Sequence, residues 1–129
     1  MKILIFENEF NAIRTSFDGF NLLYFNNELV FKDVPSSQAF PDLTRISEYN
    51  VVIIDIDLSI KSKLDGFQLL QEISKLNIKN LKIIILTGHI SISDRLVELG
   101  FPELPIINKP INLTTIKKAF DYYGLKPQS

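Results

Sequence analysis

At 129 residues the chain is long enough for one domain with a core of its own. A net charge of −1 without any Lys/Arg stripe argues against nucleic acid as a direct partner, and the absence of cysteine excludes disulfides and thiolate chemistry. With 46% apolar and 22% charged residues the composition is globular, and the apolar runs are too short for a transmembrane span or signal peptide, so no membrane association is expected. The expectation is one soluble cytoplasmic domain over residues 1–129.

The chain opens on a strand, Lys2 to Phe6, which runs into Glu7-Asn8-Glu9. A helix begins at about Phe10, with Phe10, Ile13, Phe17, Phe20 and Tyr24 at helical spacing and Gly19 as a weak point. A weaker strand spans roughly Leu29 to Phe31. A loop containing Pro35 then leads to a short second helix with Pro41 in its first turn.

Val51-Val52-Ile53-Ile54 is an unbroken β-branched run ending in Asp55. Such a run without alternation reads as a strand buried on both faces, the mark of a parallel sheet covered by helices. A third helix opens at Asp65, with Gln68 completing a capping box and Leu69, Ile73 and Leu76 inward. The fourth strand, Lys82 to Leu86, runs into Thr87-Gly88. A fourth helix starts at Ser91 and Ser93 and ends at Gly100. The short fifth strand, Ile106 to Asn108, ends in Lys109-Pro110. A fifth helix is capped by Asn112, stapled by Ile111 and Ile116, closed by Gly124, and lined by Leu113, Ile116, Phe120 and Tyr123.

Strict alternation predicts an α/β fold: a flavodoxin-like, doubly wound, five-stranded parallel sheet in the order 2-1-3-4-5 with five flanking helices. Strands 1 and 3 flank the switch point, so Glu7, Asn8 and Asp55 become neighbours there. Four strand ends thus bring acid and amide, acid, hydroxyl and amine to one edge. An ionised Asp55 beside a second acid and an amide oxygen forms the oxygen-rich pocket that Mg²⁺ prefers. Its carboxylate can attack a phosphoryl donor whose charge is neutralised by the metal, the Lys109 ammonium and the Thr87 hydroxyl. The product is an acyl phosphate, and a side chain larger than Ala at Gly88 would crowd it.

Together these pieces resemble the receiver domain of two-component response regulators, over the whole chain. The matching residues are Glu7-Asn8-Glu9, Asp55, Asp65-Gly66, Thr87-Gly88 and Lys109-Pro110, each at the correct place. The resemblance implies a signalling module rather than an enzyme, with Asp55 as phosphoacceptor supplied by a sensor histidine kinase or a histidine phosphotransfer domain. It implies Mg²⁺ held by Glu7, Asn8, Asp55 and the backbone carbonyl of Asp57, phosphoryl oxygens bound by Thr87 and Lys109, and a cis Lys109-Pro110 bond. A downstream protein target would meet the face of the fourth helix, fifth strand and fifth helix, where Leu96, Phe101 and Tyr122 are candidates. A weak homodimer is a further expectation. With the chain ending soon after the fifth helix, no output domain is expected to come after it.

Four departures from the family pattern stand out. Asn8 replaces the second of two acids, which removes a negative charge and predicts weaker Mg²⁺ binding. Ile106 replaces the aromatic switch residue three before the lysine. Ser59 replaces a common proline, and the loop over Ile60 to Leu64 is about three residues longer than usual. Asp57 puts a carboxylate where it would hang over the phosphoryl group.

Plainer readings accompany these. Asp55 alone is also a strand-end cap, Lys109 alone a surface lysine, His89 an exposed loop histidine, and Lys61 and Lys63 solvated. Two other functions fit parts of the pattern. Asn8 and Ile106 suit a pseudo-receiver, an interaction module that no longer uses phosphate. Asp55-Ile56-Asp57 also resembles the nucleophile motif of haloacid-dehalogenase-type phosphatases, though the motif lies mid-chain and no Asp-rich metal motif or cap insertion accompanies it.

Overall fold

Five parallel strands in the order β2-β1-β3-β4-β5 form the sheet of this computed structural model, which describes residues 1–58 and 61–128. They are β1 (Lys2–Phe6), β2 (Val30–Val34), β3 (Val51–Asp55), β4 (Lys82–Thr87) and β5 (Ile106–Asn108). The α-helices are α1 (Phe10–Tyr24), α2 (Gly66–Lys75), α3 (Ile92–Glu98) and α4 (Leu113–Tyr122). Ser59, which stands in place of a common proline, and Ile60 lie outside the described residues.

The absence of alternation in the strands has the expected cause. Ile3 and Ile5 of β1, with Val51 and Ile53 of β3, pack against Phe17 and Phe20 of α1 and Phe120 of α4. Leu4 and Phe6, with Val52 and Ile54, pack on the other side against Leu69, Leu70 and Ile73 of α2 and Leu96 of α3. Both faces are therefore dry, and all five residues of β3 are buried.

Two expectations about the second βαβ unit need correction. β2 runs Val30–Val34, further along than Leu29 to Phe31, as an exposed edge strand whose polar Lys32 and Asp33 hide its pattern. The helical connection after it is not α-helical but two 3₁₀ segments, Ser37–Ala39 and Leu43–Glu48. Pro41 falls between them rather than inside a first turn, and Asp42 caps the second by accepting the Thr44 N–H at 3.1 Å. A proline has no N–H to carry one helix through that point.

Side-chain capping marks α2 and α4 as expected. Asp65 and Gln68 form a reciprocal capping box on α2, and Asn112 and Thr115 form one on α4. Gly100 and Gly124 both take positive φ after their helices. Ser91 precedes α3 but makes no side-chain cap. Tyr123 ties the end of α4 to β4, its hydroxyl donating to Ile83 O at 2.6 Å. Tyr24, expected on the α1 core stripe, is largely exposed at the helix end.

Nothing in the sequence pattern hints at the role of Asn21. This buried amide accepts the Leu29 N–H and donates to the Leu29 carbonyl, both at 3.0 Å, closing the turn from α1 into β2. Asn26 and Asn27, both at positive φ, form that turn. Asn21→Ala should strand two buried main-chain groups at about 1–3 kcal/mol each. Urea unfolding should show a lower midpoint with an unchanged slope.

Candidate functional site

Main-chain hydrogen bonds carry the strand pairing just past the strand ends and so place the site. Glu7 N–H donates to Val34 O at 3.0 Å, Ile56 N–H to Leu86 O at 3.0 Å, and Lys109 N–H to Thr87 O at 2.8 Å. Asp55 itself pairs with Leu86 across β3 and β4. The side chains of Glu7, Asp55, Thr87 and Lys109 thereby reach one edge of the sheet from four strands.

Asp55 is 1% exposed and Glu7 2% exposed, an unusual depth for two carboxylates. The Lys109 ammonium joins them, 3.1 Å from Asp55 Oδ2 and 3.0 Å from Glu7 Oε2. Its aligned hydrogen bond goes to Asp55, so Glu7 Oε2 has a charge contact but no well-directed donor. Glu7 Oε1 accepts the Glu9 N–H at 3.0 Å, and Asp55 Oδ1 accepts the Asp57 N–H at 2.9 Å.

Burial pushes the Glu7 carboxyl above its ordinary value, and the close Asp55 carboxylate adds to the rise against the pull of the Glu9 N–H and Lys109. For Lys109, burial acts downward, but the bonds to Glu7 and Asp55 outweigh it and hold the ammonium above its ordinary value. Lys109 is therefore charged at neutral pH.

Thr87 is fully buried, and its Oγ1 accepts the His89 N–H at 3.0 Å, leaving the hydroxyl proton to donate elsewhere. A Cβ built on Gly88 meets nothing within 4 Å, so space is open at that strand end. Gly66 is the opposite case. A Cβ there would press into the main chain at Asp55 O and Ile56 Cα, so the first turn of α2 sits directly on the end of β3. The Lys109-Pro110 bond is cis.

Asn8, expected beside Asp55, is solvent-exposed. Asp57 and His89, 32 residues apart, meet with His89 Nε2 2.9 Å from Asp57 Oδ1. The sequence drew attention to both residues but held no sign that they pair. Available metal ligands are oxygens throughout, the donor type of a hard cation such as Mg²⁺. Glu7 Oε2 is a buried carboxylate oxygen with spare acceptor capacity, which fits a cation beside Asp55. Among the described residues no three Asp, Glu or His side chains gather as a metal cluster, so such a cation would lean on amide, carbonyl and water oxygens.

The family model of the response regulator receiver domain matches residues 10–121. The chain belongs to this family. Receiver domains are signalling modules of two-component systems rather than enzymes, which removes the phosphatase reading. Solved receiver domains share the fold. That of a DNA-binding response regulator from Colwellia psychrerythraea 34H is 22% identical with a TM-score of 0.72, covering 95% of this chain and 97% of that one. The receiver domain of NtrX from Brucella abortus is 24% identical with a TM-score of 0.68, covering 92% and 95%. A Burkholderia pseudomallei response regulator, whose structure contains a phosphorylated aspartic acid and a calcium ion, is 19% identical with a TM-score of 0.65, covering 92% and 65%. No curated protein matches the sequence. No helix among the described residues of this receiver is long and apolar enough to cross a membrane.

Two substitutions probe how the site is built. Lys109→Met leaves two buried carboxylates facing each other. The expected loss at pH 8 is about 1–3 kcal/mol, less than for a fully buried pair because a third of the Lys109 side chain is exposed. Glu7, with its raised pKa, holds a proton in the folded state at pH values where the unfolded chain has lost it, a stabilisation present at low pH and lost as pH rises through the folded value. Thermal melts should therefore show the Lys109→Met deficit shrinking as pH falls from 8 to 5. Gly66→Ala should destabilise by about 1–3 kcal/mol through overpacking and shift the Asp55 and Ile56 amide resonances.

Proposed function

We propose that this receiver domain accepts a phosphoryl group on Asp55 from a histidine kinase or histidine phosphotransfer domain and passes the signal on by conformational change. The observation that carries the reading is the buried Asp55 carboxylate with the Lys109 ammonium at 3.1 Å and the Thr87 hydroxyl on the adjoining strand. A half-buried lysine aimed at two buried carboxylates has no packing purpose. It suits a group that arrives with more negative charge.

In the transfer, an Asp55 oxygen bonds to phosphorus as the phosphorus–nitrogen bond of the donor's phosphohistidine breaks, and the imidazole takes up a proton. Lys109 moves its charge from the carboxylates to the phosphoryl oxygens. Thr87 offers its hydroxyl proton, which its bond from His89 leaves available. Glu7, Asn8, Asp55 and the Asp57 carbonyl would hold Mg²⁺, which when bound neutralises phosphoryl charge. With Asn8 neutral, that binding is weaker than with an acid in its place. The domain works in the cytoplasm, and its output face includes α3, β5 and α4, where Val97 and Tyr122 are exposed apolar side chains. A weak homodimer would use the same face.

The reading is tested by intact mass after incubation with acetyl phosphate and Mg²⁺. One phosphoryl adduct is expected on the wild type, none on Asp55→Asn, and little without Mg²⁺. Absence of an adduct on folded wild type, with no beryllofluoride binding either, would leave the phosphate-independent interaction module favoured by exposed Asn8 and by Ile106.

A further inference from the structure

Two departures of this chain lie side by side: the 3₁₀ connection after β2 and the long loop before α2. Hydrogen bonds clasp one to the other. Ser62 Oγ accepts the Ser37 N–H at 2.8 Å and donates to the Leu64 carbonyl at 2.6 Å, and Ser37 Oγ accepts the Leu64 N–H at 3.0 Å. The Gln38 amide pairs with the loop as a strand neighbour would, donating to Lys61 O at 2.7 Å and accepting the Lys63 N–H at 2.8 Å. Ser37 and Ser62 are both buried, so their bonds to main chain are costly to break. Both sides of the clasp lead to the site. On the loop side, Leu64 is followed by the Asp65 cap and by Gly66, which is seated against Asp55 O and Ile56 Cα. On the other side, Val34 O accepts the Glu7 N–H at 3.0 Å, and Phe40 meets Phe6 edge-on with ring centroids 6.0 Å apart. Between connection and loop lies a groove of about 480 Å³, with Phe40, Pro41 and Leu43 from the first and Lys63 and Leu64 from the second.

We propose that this clasp locks the cap of α2 and the 3₁₀ connection into one unit, so that a change at the carboxyl end of β3 reshapes the groove on the β2 side of the sheet. For its signal, a phosphoryl group on Asp55, the proposal rests on the phosphoacceptor reading. For its transmission it rests on the clasp alone. Gly66 leaves no room for even one more carbon, so a displacement of Asp55 or Ile56 main chain must carry the first turn of α2 with it. A free loop would absorb that displacement in its own torsions. Here the main chain of Lys61, Lys63 and Leu64 is held from outside the loop, and the displacement passes to Ser37 and Gln38. The two walls of the groove then move with the site. Ile106 takes no part in this route, which runs on the opposite side of β3 from β5.

The test follows amide resonances of the full chain. Its first arm needs no phosphate: Gly66→Ala forces the cap of α2 away from β3, and the Ser37 and Ala39 amides should shift along with that of Leu64. Should Gly66→Ala not fold, Asp55→Asn alters the same strand end without crowding it and gives the same readout. The response at Ser37 and Ala39 should shrink in the Ser62→Ala and Gln38→Ala backgrounds and be lost in the double variant, while Leu64 still responds. Asp42→Ala removes the cap of the second 3₁₀ segment without touching the clasp, and should leave the response intact. The second arm adds beryllofluoride and Mg²⁺. Wild type should shift at Thr87, Leu64 and Ser37, and the double clasp variant at Thr87 and Leu64 only. A Ser37 response that is absent from the first arm, survives in the double variant, or is abolished equally by Asp42→Ala overturns the proposal. A wild type that binds no beryllofluoride defeats the acceptor reading instead, and the first arm still decides the clasp.

Discussion

The ammonium of Lys109 between Glu7 and Asp55 is the interaction on which the site depends. Two carboxylates at almost no exposure cannot both stay ionised without a cation, because burial and mutual repulsion each favour the protonated form. Lys109 comes from the far end of the chain, 54 residues beyond Asp55, and reaches it only because β4 and β5 pair in register. The arrangement also gives a reason for the acid at position 7. Glu7 has one methylene more than an aspartate would, and its Oε2 stands 3.0 Å from the lysine. Part of the Glu7 charge is thereby taken up by the ammonium.

Burial on both sheet faces makes this charge cluster possible. Because α1 and α4 cover one face and α2 and α3 the other, the central strands β1 and β3 are apolar from Ile3 to Phe6 and from Val51 to Ile54, up to their carboxyl ends. Polar groups appear together there, where strand pairing stops and the main chain opens. The close seating of Gly66 on Asp55 and Ile56 fixes α2 against the end of β3.

The elements legible in the sequence are those that obey local rules. Unbroken β-branched runs, capping residues at Asp65 and Asn112, and glycines closing two helices each announce themselves within a few residues, and their alternation implies the sheet order. The second βαβ unit was hidden because β2 is an edge strand carrying Lys32 and Asp33, and because Pro41 divides the helical connection after it. Asn21 was hidden for another reason: a polar residue inside a helix gives no sign of which distant main chain it will satisfy. The pairing of Glu7 with Lys109, and of Asp57 with His89, belongs to the same class. The sequence names the residues at the strand ends, but only packing decides which of them touch. The segment after Asp57 shows this again, with Ser62 Oγ accepting the Ser37 N–H at 2.8 Å and Gln38 bonding to Lys61 and Lys63.

The route by which Thr87 communicates with the rest of the fold is set by its neighbours. Ile106 on β5 has no ring to turn inward or outward, and it lines a groove with Leu96, Val97 and Leu104 instead. An aromatic rotation at that position therefore cannot report a change at Thr87. The remaining connections are main-chain and polar: Thr87 O accepts the Lys109 N–H, Thr87 pairs with Asn108, and Thr87 Oγ1 holds the His89 N–H. A displacement of Thr87 would therefore pull on the first turn after β5 through one bond and on the loop before α3 through another. That loop also carries Ile90, an apolar side chain 99% exposed to solvent.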